Sequence, residues 1–322
     1  MSRFDESFDI DFQRRDVHGT LIHPETGLPY LWSFAKGASS PFSQLCIELL
    51  RAHNPSFCYV SDRTLSRLGR EGEKIKREVA HLPSSDRSSA VRFCLIHEFG
   101  GCWIDPHSLA VKPVDLVHRL STREFIGVHN PHLERGDGKY LLGSPFGGQP
   151  GNAIVERALQ AYRRPTDTTY AGSWPPPSRV LAEAWRATPQ VDQDARYERV
   201  HHTLHSPVSW QDAPKTYTRI AADTSHDRNP FWSSQAQLFH LPWSVARRFA
   251  RCSIEELLDG STFFSFLVRR SLAGIADSSK ADQIRRSLRR DYPSLPSGVW
   301  DDPPVDSPVY RRFVAAWYGW RQ

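Results

Sequence analysis

The chain has 322 residues, of which 39% are hydrophobic and 24% charged, with a formal net charge of +5 and a pI near 9.0. This length and composition predict a globular protein with one large α/β domain, and the absence of any apolar run of about 18 residues argues against a membrane span. The basic residues are spread along the chain and are not interleaved with aromatic residues, which argues against nucleic acid as a partner.

Apolar spacing and turn residues predict a β-α-β start after an N-terminal arm. The predicted elements of the first 80 residues are an irregular arm at 1–27, a strand at 28–34, a helix at 41–53, a strand at 57–60 and a charged helix at 64–79. Ser39 or Ser40 is a candidate cap of the first helix, and Asn54-Pro55 ends it. The arm has no apolar region of the kind found in secretion signals, so we expect a cytoplasmic protein.

The segment 88–115 holds the most informative pattern. Apolar residues recur every four positions up to Phe99, which predicts a helix lying on a sheet. Gly100-Gly101 then allows the chain to leave the helix through a left-handed conformation and to enter a strand at 102–104. Asp105 and His107 follow the carboxyl end of that strand, where ligands collect in open α/β sheets. Two potential ligands separated by one residue can face a single metal ion there.

These residues also carry a resemblance to a known family. Arg92, Leu95, Gly100-Gly101, Trp103 and Asp105 resemble the arginine, leucine, Gly-Gly, aromatic, aspartate series of glycosyltransferases with a DXD-type sugar-binding region. The pattern is most similar to the capsular polysaccharide synthesis branch and more distantly similar to the glucosyltransferase domains of clostridial toxins. The resemblance implies a GT-A type fold, a nucleotide-sugar donor and a divalent cation, Mn²⁺ or Mg²⁺. It also implies a glycan or lipid-linked acceptor and, for this branch, retention of anomeric configuration.

The resemblance implies roles for individual residues. Asp105 and His107 would hold the cation, because His107 stands where the second acid of DXD is usual. Arg92 would reach the diphosphate or sugar of the donor, although a buried arginine would equally pair with a carboxylate or with sheet carbonyls. Ser89 stands where relatives carry an aspartate that contacts the donor, and Trp103 is the aromatic residue of the motif.

Trp32, in the first predicted strand, matches a tryptophan that stacks on the nucleotide base in the toxin relatives. A core position is the alternative, because an indole ring is as readily buried. Near the other end of the chain, His240 lies in an apolar, strand-like run at 238–243. The resemblance makes it a candidate third metal ligand, with a hydrogen-bonded structural histidine as the alternative.

The remainder of the chain is predicted as alternating short elements with a helical end. The predicted elements are strands at 125–128 and 140–146, a turn at 147–151, helices at 153–162 and 179–187, a loop-rich segment at 188–235, and helices at 253–258, 263–272 and 280–290. The tail from 293 has aromatic residues expected to pack onto the domain, and the histidines at 201, 202, 205 and 226 are interpreted as surface residues. Five cysteines without a C-x-x-C pair indicate reduced, buried thiols.

Together these patterns predict an arm at 1–27, a glycosyltransferase domain at 28–250 and a helical extension at 251–322 packed on the same domain. The basic helix at 280–290 would be either a solvated surface helix or a contact with an anionic membrane surface at the inner face. Two other functions stay open. One is a glycosyltransferase-like binding protein without activity, because acids are missing at Ser89 and His107. The other is a phosphoryl-transfer or nuclease enzyme, which would need further acids near the motif.

Overall fold

The fold is built on a mixed β-sheet of six strands with helices on both faces. The computed structural model describes residues 10–34, 40–129, 141–163, 176–201, 237–240, 249–250, 252–260 and 263–293. Its strands are β1 (Leu31–Phe34), β2 (Phe57–Val60), β3 (Gly101–Trp103), β4 (Ser108–Ala110), β5 (Phe125–His129), β6 (Leu141–Gly148), β7 (Tyr197–His201) and β8 (Leu238–His240).

The helices of the described residues connect these strands and form the C-terminal part. They are α1 (Pro41–His53), α2 (Asp62–Leu65), α3 (Gly69–Glu78), α4 (Ser84–Phe99), α5 (Leu116–Arg119), α6 (Ala153–Arg163), α7 (Pro177–Arg186), α8 (Gln190–Arg196), α9 (Ile254–Asp259), α10 (Phe263–Ala273) and α11 (Ser278–Asp291). Within the described ranges, no helix is long and apolar enough to cross a membrane.

The strand order in the sheet is β2-β1-β3-β6-β5-β7. Strand β1 is parallel to both β2 and β3, β6 is antiparallel to its two neighbours, and β7 is parallel to β5. All strands of this sheet except β6 therefore run in one direction, and their carboxyl ends meet at one edge. The predicted α/β class is confirmed, and the mixed sheet is compatible with a GT-A type fold.

The two faces of the sheet bury different sets of residues, as the alternation of strand side chains requires. Trp32 on β1 belongs to a core cluster with residues of α3, α4, α6 and α7, whereas its neighbour Leu31 belongs to a cluster with α1 and α5. A third cluster joins α1 and β4 to α9, α10 and α11. The C-terminal helices thus cover the side of α1 that the sheet does not.

A buried polar chain links these C-terminal helices to the rest of the fold. Ser271 on α10 donates its hydroxyl to the carbonyl of Ala110 on β4 at 2.6 Å. His53, the last residue of α1, places Nε2 3.0 Å from Ser271 Oγ and 3.1 Å from its carbonyl oxygen. Because Ser271 uses its proton on Ala110, His53 donates through Nε2–H. Burial lowers the pKa of His53 below 6.5, against a hydrogen bond to Ser271 that raises it.

The N-terminal arm is joined to the end of α4. Leu21 is fully buried, and its N–H donates to the carbonyl of Phe99 at 2.8 Å. The predicted turn at His23 to Gly27 is confirmed, because Gly27 has a φ of 67° and donates to the carbonyl of His23. Residues 1–9 lie outside the described part of the chain.

Several predicted elements are confirmed closely. Helix α1 has the predicted bounds, and Ser40 caps it by accepting from the N–H of Ser43. The exit from α4 is also as predicted, since Gly100 and Gly101 have φ values of 69° and 99°. All five cysteines are buried and free, and burial raises the pKa of each thiol, so none is poised as a nucleophile.

Other predictions are corrected by the structure. The charged helix at 64–79 is interrupted near Gly69, whose φ is 67°. Gly147 and Gly148 were predicted in a turn but are strand residues of β6. Strand β3 approaches Gly147 so closely that an added Cβ would lie 2.7 Å from Cys102 Sγ. The segment predicted as loop from 188 holds α8 and the strand β7. The aromatic tail and the histidines at 202, 205 and 226 lie outside the described residues.

Candidate functional site

Asp105 lies at the centre of a group of contacts at the carboxyl edge of the sheet. Its Oδ1 accepts from Trp103 Nε1 at 2.8 Å and lies 3.2 Å from Arg92 Nη2. Its backbone N–H donates to Ser144 Oγ at 2.8 Å. Helix α4 and strands β3 and β6 therefore each contribute one residue to the position of this half-buried carboxylate. The residues that resemble the glycosyltransferase motif come together in space around Asp105.

Arg92 takes the alternative of pairing within the protein. Its Nη1 donates to the carbonyl of Gly143 at 2.5 Å, and its guanidinium lies over the Trp103 ring, 5.0 Å from the centroid. The side chain is 9% exposed, whereas that of Asp105 is 21% exposed. Arginine in this geometry neutralises the carboxylate and satisfies a sheet carbonyl. The Gly143 carbonyl and the Asp105 carboxylate thus engage both terminal nitrogens of Arg92. The predicted contact of Arg92 with a donor stays a prediction.

His107 lies at the same edge and is also half-buried. Its ring stacks on Phe42, with centroids 6.2 Å apart and an angle of 6° between the planes. Phe42, in the first turn of α1, contacts Phe249 and Phe264 as well. The imidazole is therefore oriented by an aromatic cluster shared by α1 and the C-terminal helices.

His240 approaches this edge through the backbone. Strand β8 pairs antiparallel with β4, and His240 is the register partner of Ser108, the residue after His107. The topology brings positions 105, 107 and 240 to one corner of the fold, although 240 is distant in sequence. The side chain of His240 lies outside the described structure, so its role as a ligand stays a prediction.

The two tryptophans of the candidate set are core residues. Trp32 is fully buried; its ring stacks on Tyr30 at 5.0 Å and contacts Phe99 at 5.8 Å, and its Nε1 donates to the carbonyl of Gly100. A base cannot stack on a ring without an exposed face, so the structure corrects the predicted base-stacking role of Trp32 to core packing. Trp103 is also fully buried and acts on the site through its hydrogen bond to Asp105.

Some residues of this edge were not predicted. Ser144 is 2% exposed and contacts Asp105 across 39 positions of sequence, and Gly143 beside it accepts from Arg92. The polar Gly-Ser step within the apolar strand at 140–146 was a signal that could have indicated a role for this segment. His129 ends β5 at the same edge, in register with His201 at the end of β7. Ser89 lies half-buried on α4, one turn before Arg92.

The described residues supply only some of the ligands that a divalent cation needs. Asp105 and His107 supply an oxygen and a nitrogen that suit Mn²⁺, and the carboxylate is already oriented by the hydrogen bond from Trp103 and the ion pair with Arg92. No group of three or more His, Cys, Asp or Glu within the described ranges is placed to hold a metal ion. A cation here would take its remaining ligands from a bound phosphate or from water. With only these two groups described at the edge, the predicted cation stays a prediction.

Comparison with known proteins adds one finding. No protein-family model matches the chain, and no curated protein matches it. Among solved structures, the chain is similar to the PaToxG glycosyltransferase with a TM-score of 0.36 and 13% identity, over 52% of this chain and 72% of that one.

Proposed function

We propose that this protein is a glycosyltransferase that moves a sugar from a nucleotide-sugar donor to a hydroxyl group of an acceptor. The observation that carries the proposal is the contact group of Arg92, Trp103 and Asp105 at the carboxyl edge of the sheet. Arg92 lies on α4 and Asp105 follows β3, so their ion pair joins two separate elements of the fold. It does so at the edge where open α/β sheets bind ligands.

In the proposed reaction a nucleoside diphosphate leaves as the bond to the sugar breaks, so negative charge grows on the diphosphate. A cation held by Asp105 and His107 would supply the positive charge that this leaving group needs. The protein's own part is to fix the carboxylate by Trp103 and Arg92 and to orient the imidazole on Phe42. Retention of anomeric configuration is proposed from the family resemblance alone.

The donor and the acceptor would enter at the same edge. Because Trp32 is buried, recognition of the base would fall to other residues near the ends of β1 and β2. The acceptor would be a glycan or a lipid-linked sugar. Helix α11 buries Ala281, Ile284 and Leu288 and exposes Arg286, Arg289 and Arg290, which would suit peripheral contact with an anionic inner membrane face.

A second candidate is a glycosyltransferase-like binding protein without catalytic activity. The observation that favours it is the pairing of Asp105 with Arg92, which reduces the net charge offered to a cation. The absence of a third metal-ligating group in the described part of the chain points the same way. Such a protein would bind a nucleotide or a glycan without turnover.

Incubation with a panel of nucleotide sugars and Mn²⁺, followed by mass spectrometry of the released nucleotide, tests the proposal. Release of one nucleoside diphosphate that depends on the cation would support a transferase. Calorimetric titration with the same donors separates the two candidates: binding without release indicates the inactive protein. If the protein neither binds any donor nor releases a nucleotide from it in the presence of glycan acceptors, both candidate functions are refuted.

A further inference from the structure

The C-terminal helices are joined to the rest of the fold by a buried polar contact inside an apolar interface. Helices α9, α10 and α11 pack on α1 and β4 through a cluster of buried hydrophobic side chains. Within this interface Ser271 of α10 is fully buried and donates its hydroxyl to the carbonyl of Ala110 on β4 at 2.6 Å. His53, at the end of α1, donates through Nε2–H to Ser271. Three separate elements therefore meet in one chain of hydrogen bonds.

The elements that this chain of hydrogen bonds joins are also close to the candidate site. Strand β4 begins at Ser108, directly after His107. The end of α1 has a second anchor in Asn54, whose Oδ1 accepts from the N–H of Val114 at 2.8 Å. Loss of the His53 contact would therefore free α10 and β4, whereas the end of α1 would stay fixed through Asn54.

The surroundings of His53 favour its neutral form. The residue is 6% exposed and its neutral ring already uses the Nε2–H, so a second proton would go to Nδ1 and place a full charge beside the apolar cluster. Burial lowers the pKa of His53, the hydrogen bond to Ser271 raises it, and the positive charge of Lys280 on α11 lowers it further. In the described part of the chain, no carboxylate compensates a charge on His53.

The other charged groups on the elements packed around His53 are engaged elsewhere, and β4 has no titratable residue. Their partners are Arg51 for Glu48, the N–H of Ser253 for Glu256, Arg289 for Asp259, the carbonyl of Gly260 for Arg269, Ser279 for Asp277, Arg285 for Asp282 and Arg290 for Asp291.

We propose that His53 is a proton-sensitive latch for the C-terminal layer, by which we mean the helices α9, α10 and α11. Water stabilises a protonated imidazole more than the apolar interface does, so protonation favours a state in which His53 has left Ser271. The hydroxyl of Ser271 then loses its fixed orientation toward Ala110, and β4 loses a support close to His107. The buried cluster keeps the layer docked in most molecules, so protonation acts by raising the open fraction. The latch operates whether or not the protein transfers sugars.

The direction of the pH effect follows from the state that binds the proton. In the open state His53 is in water and has its ordinary pKa of 6.5, whereas burial lowers the pKa in the docked state. The open state therefore binds more protons, and the opening constant rises as the pH falls below that value and is flat above it. Between about pH 7.5 and pH 5.5, one such histidine raises the opening constant by about 3- to 10-fold.

Hydrogen exchange followed by mass spectrometry tests the latch on the full chain without any ligand. Exchange at about pH 7.5 and pH 5.5, corrected for the intrinsic pH dependence of amide exchange, gives an opening constant for each segment. Peptides that cover α10 and β4 are expected to show the rise of about 3- to 10-fold at the lower pH. Peptides that cover β1 and α4 are expected to show none.

Two variants assign the effect to His53. His53→Gln keeps an N–H donor for Ser271 but cannot titrate, so it should remove the rise in α10 and β4. The matched control is His118→Gln, at an exposed position of α5, which should retain the rise.

A rise of equal size in α10, β4, β1 and α4 would mean that acid unfolds the whole domain, and it would overturn a local latch. An undiminished rise in His53→Gln would assign the effect to another group. Ser271→Ala is an independent check, because it removes the hydroxyl that links His53 to Ala110. It should open α10 and β4 more at about pH 7.5, and unchanged exchange there would overturn the role of this contact. Neither nucleotide binding nor turnover enters these measurements, so their outcome is separate from that of the proposed function.

Discussion

The indole nitrogen of Trp32 donates a hydrogen bond to the carbonyl of Gly100 at 2.7 Å, across 68 positions of sequence. The bond ties the first strand of the sheet to the turn between α4 and β3, immediately before the residues that present Asp105. Trp32 is fully buried, so this bond has no competition from water. The precision of the candidate site therefore depends partly on a residue that does not touch it.

Replacement of Trp32 by phenylalanine should destabilise the protein by about 2 to 3 kcal/mol, because it leaves the Gly100 carbonyl unpaired and removes buried volume. Urea unfolding measures the loss. Trp185→Phe is the matched control, since Trp185 is buried but its Nε1 has no hydrogen-bond partner among the described residues; its cost should be smaller. Unchanged stability together with lost nucleotide binding in Trp32→Phe would restore the base-stacking role.

Alanine at Gly101 should destabilise the protein severely, by about 3 kcal/mol or more. The φ of Gly101 is +99°, and an added Cβ would lie 2.3 Å from the carbonyl oxygen of Tyr30. Gly151→Ala is the control: its φ is +67°, but no atom lies within 4 Å of the added Cβ, so only backbone strain of about 1 kcal/mol is expected. Thermal unfolding compares the two, and equal losses would contradict the steric argument.

The variant Asp105→Asn should lose donor turnover by at least about 100-fold, because the neutral amide binds a cation weakly and leaves the Arg92 charge unpaired. The amide oxygen can still accept from Trp103, so circular dichroism should show a folded protein. Asp282→Asn is the control, since Asp282 pairs with Arg285 on the exposed side of α11. Cation-dependent turnover that survives in Asp105→Asn would contradict the assignment of this site.

Stability should fall as pH drops below about 6.5, in part because of His53. Its pKa is lowered in the folded protein by burial, from an ordinary value of 6.5. The unfolded chain therefore binds more protons below that pH, and protonation favours unfolding. His53→Gln keeps an N–H donor for Ser271 but cannot titrate, so denaturant unfolding between pH 5 and 8 should show a weaker dependence on pH.

The control for this prediction is His118→Gln, because His118 is exposed on α5. Its pH dependence should match that of the unmodified protein. An identical loss of stability on acidification in His53→Gln and in the unmodified protein would show that other groups cause it.

The sequence alone predicted those parts of the fold that local chemistry determines. Helix α1 carries a serine cap, a regular apolar face and a terminating Asn-Pro, so its bounds were predicted correctly. Strand β7 was missed because it is a five-residue edge strand of the described sheet with a polar sequence, and its pairing with β5 depends on distant residues. The strand assignment of Gly147 was missed for a similar reason, since the close approach of β3 is invisible in the local sequence.

The candidate site divides in the same way. The positions of Asp105 and His107 at a strand end followed from the turn at Gly100-Gly101 and the apolar residues after it. The burial of Trp32 could not be predicted from the sequence, because a tryptophan on a strand can either pack in the core or stack on a base. Its contacts with Tyr30 and Phe99 show that it packs in the core. The contact of Ser144 with Asp105 could not be predicted because it spans 39 positions and depends on the register of β6 against β3.

The cluster that α9, α10 and α11 form with α1 and β4 has a practical consequence for recombinant work. Residues such as Phe42, Leu45 and Leu49 are fully buried there. A shortened chain that stops near residue 250 would expose this apolar surface to solvent and lose the hydrogen bond from Ser271 to Ala110. We therefore expect it to precipitate on expression. Fragments for crystallisation should therefore retain everything through α11.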